Sequence, residues 1–443
     1  MENVYNNDNI IVGLDIGTTK IATVIGYRNG NGQIDIIGYG KSESTGVDFG
    51  EIRNINKTVS GIKLSIGMAS QRSGQEIESV YVGIAGHHIK TSKYNHHLFR
   101  HGLKTPITQE EIETLKKEIF QASVPPGEEV IDVIPQRYLI DKERITFEPV
   151  GELGNDVIGT YQLVTGKISE IDKIKLCGEQ AEIELKDIVL EPIASGMACL
   201  SEEDKRQGVA LVDIGGGTSD LIIYLDGHPV YTKVIAMGGN VITKDIAQVC
   251  KISEDIAEKL KINYGTCIVE KSHSNNLITI PKPHQDPIQI NENYLAQIIN
   301  SRVQGEIISA VQKEIENSGY KDRLYAGLVL TGGGANLRHI RELCQYTLQM
   351  PTRLGFPDNG FARSIPTELK QPTYSTALGL LKYGIEAEEE TNFIENMEYE
   401  ANSKPTGGKN NSTNKENTGE SDGAWGFFKK AHEYLKKKLE NFS

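Results

Sequence analysis

Residues Val209-Ala210-Leu211-Val212-Asp213-Ile214-Gly215-Gly216-Gly217-Thr218-Ser219-Asp220 set an apolar strand against a glycine turn led by an aspartate. Apolar residues resume after the turn and run toward Gly227, so the unit reads as a β-hairpin. Ile10 to Gly26 repeat this plan around Asp15-Ile16-Gly17-Thr18-Thr19-Lys20. A repeat of this kind is the first thing to seek in a sequence, because it sets the architecture. A P-loop would run from strand into helix and end in Gly-Lys-Ser/Thr, and neither unit does.

Two such turns suit a nucleotide held between two domains. Glycines let the backbone approach phosphate oxygens, and amides left free by tight turns can point at them. Thr18, Thr19, Thr218 and Ser219 supply hydroxyls, and Lys20 supplies a point charge. Asp15 and Asp213 would be repelled by phosphate unless Mg²⁺ stood between, commonly through retained waters. A third segment, Leu328-Val329-Leu330-Thr331-Gly332-Gly333-Gly334-Ala335-Asn336-Leu337, reads as a buried strand entering a glycine turn and a helix start. Its backbone can lie flat against an adenine or ribose.

In this order the three segments resemble the actin, sugar-kinase and DnaK-type chaperone superfamily. The resemblance makes them two phosphate loops and an adenosine loop binding ATP and Mg²⁺, with Gly238 and Asn336 in the same set. It makes Glu191-Pro192-Ile193-Ala194-Ser195 and Ser375-Thr376-Ala377-Leu378-Gly379 the helices connecting two lobes. Glu191 then stands where bacterial actins place a water-orienting side chain, and Glu258 and Lys261 fall on an adenosine-contacting helix. The implied fold is α/β: a two-lobed actin-like ATPase with duplicated core subdomains, a small α+β insert and a C-terminal amphipathic helix.

Over nearly the full length the chain is similar to the FtsA family of bacterial cell-division proteins. Gly208 to Asp220 carry the resemblance, with Lys233-Val234-Ile235, Gly238-Gly239-Asn240, Thr243, Asp245-Ile246-Ala247 and Lys261…Tyr264-Gly265. An insert opening at Val82-Gly83-Ile84-Ala85-Gly86 falls where that family has its own extra subdomain. The resemblance implies filaments beneath the inner membrane at the division site, anchorage of the tubulin-like FtsZ by its C-terminal tail, and recruitment of later division proteins through the insert. Arg302 resembles a basic position on the FtsZ-docking surface. ATP hydrolysis is expected to be slow or absent. A PilM-like pilus adaptor and an MreB-like cytoskeletal actin stay open as alternatives. A sugar kinase lacks an identifiable base, and a DnaK-type chaperone lacks a substrate domain.

The expected layout places the first-lobe core at 8–86, the insert at 87–167, and that core again at 168–207. The second-lobe core takes 208–246 and 323–372 around an outer subdomain at 247–322, and 373–385 returns to the first lobe. Residues 386–423 are polar and read as a flexible linker. Thr108 and Glu111 form a capping box inside the insert. Ser272 to Gln289 read as an extra loop.

From Ala424 to Phe442, Trp425, Phe428, Ala431, Leu435, Leu439 and Phe442 recur at helical spacing, opposite a face bearing Lys429, Lys430, Lys436 and Lys437. That pattern belongs to a helix lying in the membrane interface, attracted to anionic lipid. The rest of the composition excludes more than it selects. A net charge of −13 argues against a nucleic-acid partner. Five scattered cysteines without a C-x-x-C pair read as reduced, structural thiols. No signal peptide is read at the N-terminus, and no apolar run reaches transmembrane length. His87, His88, His96, His97 and His101 crowd together without partners at metal spacing, and read as polar surface of the insert.

Overall fold

The computed structural model describes residues 10–402 apart from 101, 103, 104, 274, 275, 283 and 284. The chain divides after Gly384 into two units. The first carries two five-stranded sheets of one design. In one, Ile11–Ile16 runs antiparallel to Lys20–Arg28 and parallel to Ser79–Ile84. In the other, Val209–Ile214 runs antiparallel to Ser219–Leu225 and parallel to Gly327–Thr331. Every residue of Val209–Ile214 is buried, so the strand is apolar without alternation, as in sheets covered on both faces. The repeat seen in the sequence is thus a repeat of sheet topology.

Helix Glu191–Cys199 touches both sheets, and so does the start of Ser375–Asn402, where Thr376 bonds Asp213 and Ala377 packs on Gly13. A Cβ added to Gly379 would lie 1.8 Å from the Ala194 carbonyl oxygen, so only glycine permits this approach.

Lys90–Phe99, Asp156–Lys167, Glu128–Ile140 and Arg144–Thr146 make a separate four-stranded sheet. Helix Gln109–Phe120 buries Leu115 and Ile119 against it, beside Tyr138 and Tyr161. Its capping box is formed: the Glu111 amide donates to Thr108 Oγ1 over 3.2 Å, and the Thr108 amide to Glu111 Oε2 over 2.9 Å.

Three expectations need correction. The Ser272 to Gln289 region is no simple loop, because Leu277–Lys282 pairs with Gln285–Asn291 as a hairpin with Ile278, Ile280 and Ile290 buried. Alternating isoleucines supply the inward face that polar neighbours disguised. The segment after Gly384 is helical through Asn402 rather than a linker from 386. Neither glycine nor proline interrupts residues 385–402, which are rich in helix-forming Glu. Finally, His88 is buried (2% exposed) with its Nδ1 3.4 Å from Glu51 Oε1, so it belongs to an interior contact and not to a polar surface. The amphipathic segment 424–442, with Trp425, Phe428, Lys429, Lys430, Leu435 and Leu439, lies outside the described residues, as does His101. Among the described residues no helix is long and apolar enough to cross a membrane.

Candidate nucleotide site

The two hairpin turns close identically. The Gly17 amide donates to the Lys20 carbonyl over 3.0 Å, and the Gly215 amide to the Thr218 carbonyl over 2.9 Å. They face one another at close range: a Cβ on Gly216 would sit 2.5 Å from Thr19 Cγ2, and one on Gly217 2.6 Å from Thr18 Oγ1. The helix Gly239–Cys250 backs the second turn, with the Gly239 and Asn240 amides donating to Gly215 and Gly216 carbonyls over 2.8 Å each. Gly238 belongs to this support, since a Cβ there would press within 2.6 Å of the Gly215 oxygen.

Between the turns lies a cavity of about 70 Å³ lined by Asp15, Lys20, Glu191, Asp213, Asp220 and Thr376, among others. An adjoining cavity of about 300 Å³ shares Thr19, Gly215, Gly216, Gly333 and Thr373 with it and continues past Glu258, Lys261, Gly334 and Asn336. The small, acidic end and the larger, mixed end divide as a phosphate part and a nucleoside part would. Gly332 turns the third segment at φ +83°, and a Cβ there would fall 2.1 Å from Asp213 Oδ1.

The acidic end is crowded. Asp15 is ion-paired with the buried Lys20 ammonium. Asp213 Oδ2 accepts Ser195 Oγ over 2.6 Å and Thr376 Oγ1 over 3.1 Å. Asp220 Oδ2 accepts Thr218 Oγ1 over 3.1 Å, while its Oδ1 is buried with no hydrogen-bond partner. Burial raises the Glu191 carboxyl well above the ordinary range; Asp15, Asp220 and Asp213 raise it further, and Lys20 opposes them. Burial likewise raises Asp220, with Asp213 and Asp15 adding to it. Asp213 is also raised by burial, against the bond from Ser195.

One lysine stands among four carboxyls at this end, and Asp220, which lines it, keeps one buried oxygen without a hydrogen-bond partner. The set therefore fits a divalent cation. Among the described residues no group of three or more His, Cys, Asp or Glu side chains is arranged to hold a metal alone.

Other predicted residues are placed differently. Lys261 lines the larger cavity, yet its ammonium is spent on the protein: on the Gly239 carbonyl at 2.9 Å, Thr243 Oγ1 at 2.8 Å and Glu258 at 2.7 Å. Arg302 is half-buried outside both cavities, bound by Asp245 at 2.5 and 2.9 Å and by Glu306. Its guanidinium is thus paired with two carboxylates of the same chain. Asp220, Ser195 and Thr376 join the site by their positions in the fold, beyond the residues expected from the sequence. Asp220 had a signal, because the register of a six-residue strand across the turn makes it the direct partner of Asp213.

A family model described as Cell division protein FtsA matches residues 210–379, and one described as the SHS2 domain inserted in FTSA matches residues 86–165. The cell division protein FtsA of Pseudomonas aeruginosa is 34% identical over 382 residues, 85% of this chain and 89% of that protein. The chain belongs to the FtsA family.

The FtsA of Neisseria meningitidis serogroup B is 33% identical over 374 residues, 83% of this chain and 88% of its own. FtsA-family membership makes this an actin-like cell-division protein, and the PilM-like and MreB-like alternatives are not favoured. Solved structures share the fold alone. A chain of the PilM-PilN type IV pilus biogenesis complex superposes with TM-score 0.62 at 16% identity, covering 85% of this chain and 98% of that one. MreB5 of Spiroplasma citri bound to ADP superposes with TM-score 0.52 at 15% identity, covering 88% and 98%.

Proposed function

We propose that this FtsA-family protein binds ATP with Mg²⁺ between its two glycine turns, assembles into filaments in that state, and anchors FtsZ filaments to the inner membrane. The observation that carries the nucleotide part is the pairing of two identically closed turns over a cavity whose floor is acidic. Turn amides and the Thr18 and Thr19 hydroxyls would face phosphate oxygens, Thr218 would join them on releasing Asp220, and Lys20 would add its charge. Asp15, Asp213 and Asp220 would hold the cation, chiefly through water, and the cation would supply the charge that lets phosphate and carboxylates share the space. Glu191, fixed at the start of an inter-lobe helix, is suited to hold a water near the terminal phosphate. Burial raises its carboxyl above the ordinary range, the direction in which a carboxylate becomes a better proton acceptor.

The outer subdomain at 247–322 would dock the FtsZ tail. Arg302 can serve there only by exchanging Asp245 for a peptide carboxylate. The insert would meet other division proteins. The segment Trp425 to Phe442 would lie against anionic lipid at the cytoplasmic face, weakly as one helix and firmly when a filament presents many.

Co-sedimentation with anionic vesicles tests this reading, using the full chain and a chain ending at Gly423, each with and without Mg-ATP. Pelleting of the full chain alone, strengthened by ATP, is expected. Equal pelleting of both chains would remove the membrane role of the tail.

A further inference from the structure

The insert meets the second lobe through side-chain amides. The Thr232 amide donates to Gln162 Oε1 over 2.7 Å, and Gln162 Nε2 donates back to the Thr232 carbonyl over 3.1 Å. Gln136 Nε2 donates to the Val230 carbonyl over 2.9 Å. His228–Ile235 is the edge strand of its sheet, so these glutamines cover a backbone that would otherwise be open.

Beside this contact lies a cavity of about 500 Å³, within the range of small-molecule sites. Lys93 and Arg137 line it from the insert, and Lys233 from the second lobe. The register explains the convergence. Lys93 pairs with Gln162 and Arg137 with Thr160, two residues apart on the middle strand, so both cations share the face turned to the second lobe. The strand His228–Ile235 brings Lys233 from the opposite wall.

Among the described residues none of these three cations has an ion pair or a hydrogen bond, and no acid lines the cavity. Glu314, the neighbouring carboxylate, is engaged by the Tyr231 hydroxyl over 2.7 Å. Acids outnumber bases by 13 in this chain, so partners are plentiful elsewhere. Three like charges facing one space, unpaired, repel one another until an anion enters. Tyr320 and Asn317 add neutral donors from the second lobe, while the Ser318 hydroxyl already donates to the Ile315 carbonyl over 2.6 Å.

We propose that this cleft binds a small anion bearing phosphate, with Arg137, Lys93 and Lys233 as its ligands. Phosphate suits the set better than a lone carboxylate. Its charge matches several cations, and its oxygens accept bonds from both walls. Ligands drawn from both lobes make the anion a clamp on the insert, separate from the turns that face Thr18 and Gly217.

Calorimetric titration of the full chain with inorganic pyrophosphate tests this, with the glycine-turn site first saturated by Mg-ADP. A parallel arm uses glycerophosphoglycerol, to tell a free phosphate compound from a lipid headgroup. Binding of either probe is expected, weakening about tenfold or more in Lys93→Ser/Arg137→Ser/Lys233→Ser. Single variants Arg137→Ser and Lys233→Ser should each weaken it in part, with thermal melting unchanged. Absence of binding to both probes, or isotherms equal in the wild type and triple variant, would overturn the proposal.

Discussion

Ser195 Oγ lies 2.6 Å from Asp213 Oδ2, which ties the first inter-lobe helix to the carboxylate at the end of the second lobe's central strand. Thr376, on the other inter-lobe helix, donates to the same oxygen over 3.1 Å. One hydroxyl from each crossing helix thus fixes Asp213 and leaves Oδ1 on the side kept open by Gly332.

Ser195→Ala and Thr376→Val should therefore lose about tenfold of the Mg²⁺-dependent gain in nucleotide affinity, since bonds to a charged acceptor are worth roughly 1.5–3 kcal/mol. Affinity in EDTA should change little, and Thr376→Ser should behave as wild type. Calorimetry with and without Mg²⁺ reads all three. Equal Mg²⁺ dependence in Thr376→Val and wild type would remove this role.

Lys20 and Asp15 form a buried pair at the acidic end. Lys20→Met should destabilise the unliganded protein by about 3 kcal/mol or more, because an uncompensated carboxylate stays inside. Lys20→Met/Asp15→Asn should recover part of that loss in urea unfolding. A double variant no better than the single one would mean that packing, and not charge, holds this corner.

Gly379 has no room for a side chain against Ala194. Gly379→Val should cost on the order of 2–4 kcal/mol through overpacking. A melting temperature within a degree or two of wild type would show that the helices can part without cost.

His88 supplies one part of the pH dependence. Burial lowers its pKa, against the pull of Glu51 and Glu170 and with a further push from His87. A folded pKa below the unfolded one means that the unfolded chain takes the proton first. Stability is then full above about pH 6.5 and declines below it, by at most about 1.4 kcal/mol per pH unit, until the folded group also titrates. His88→Phe should flatten this part of the profile in melts between pH 5 and 7.5. An unchanged slope would place the acid sensitivity elsewhere.

The hairpins were legible because an aspartate, a glycine turn and flanking apolar strands are local features, and their repetition announced the duplicated sheet. The capping box at Thr108 was legible for the same reason. What escaped depends on distant partners. Ser195 and Thr376 gain meaning only where their helices cross, and Arg302 looks free until Asp245, 57 positions away, is seen beside it. The isoleucines of Leu277–Lys282 and Gln285–Asn291 alternate over too few residues to outweigh the polar residues around them.

The central claim is that nucleotide binds between the facing turns with a cation on the acidic floor. Its most direct test is equilibrium titration of the full chain with ATP, with Mg²⁺ and then with EDTA, beside Gly217→Val. A Cβ at Gly217 would meet Thr18 Oγ1 at 2.6 Å and the Phe49 backbone at 2.7 Å. The account predicts one ATP per chain, bound at least tenfold more tightly with Mg²⁺, and lost in Gly217→Val. Binding that ignores both the cation and that valine would contradict it.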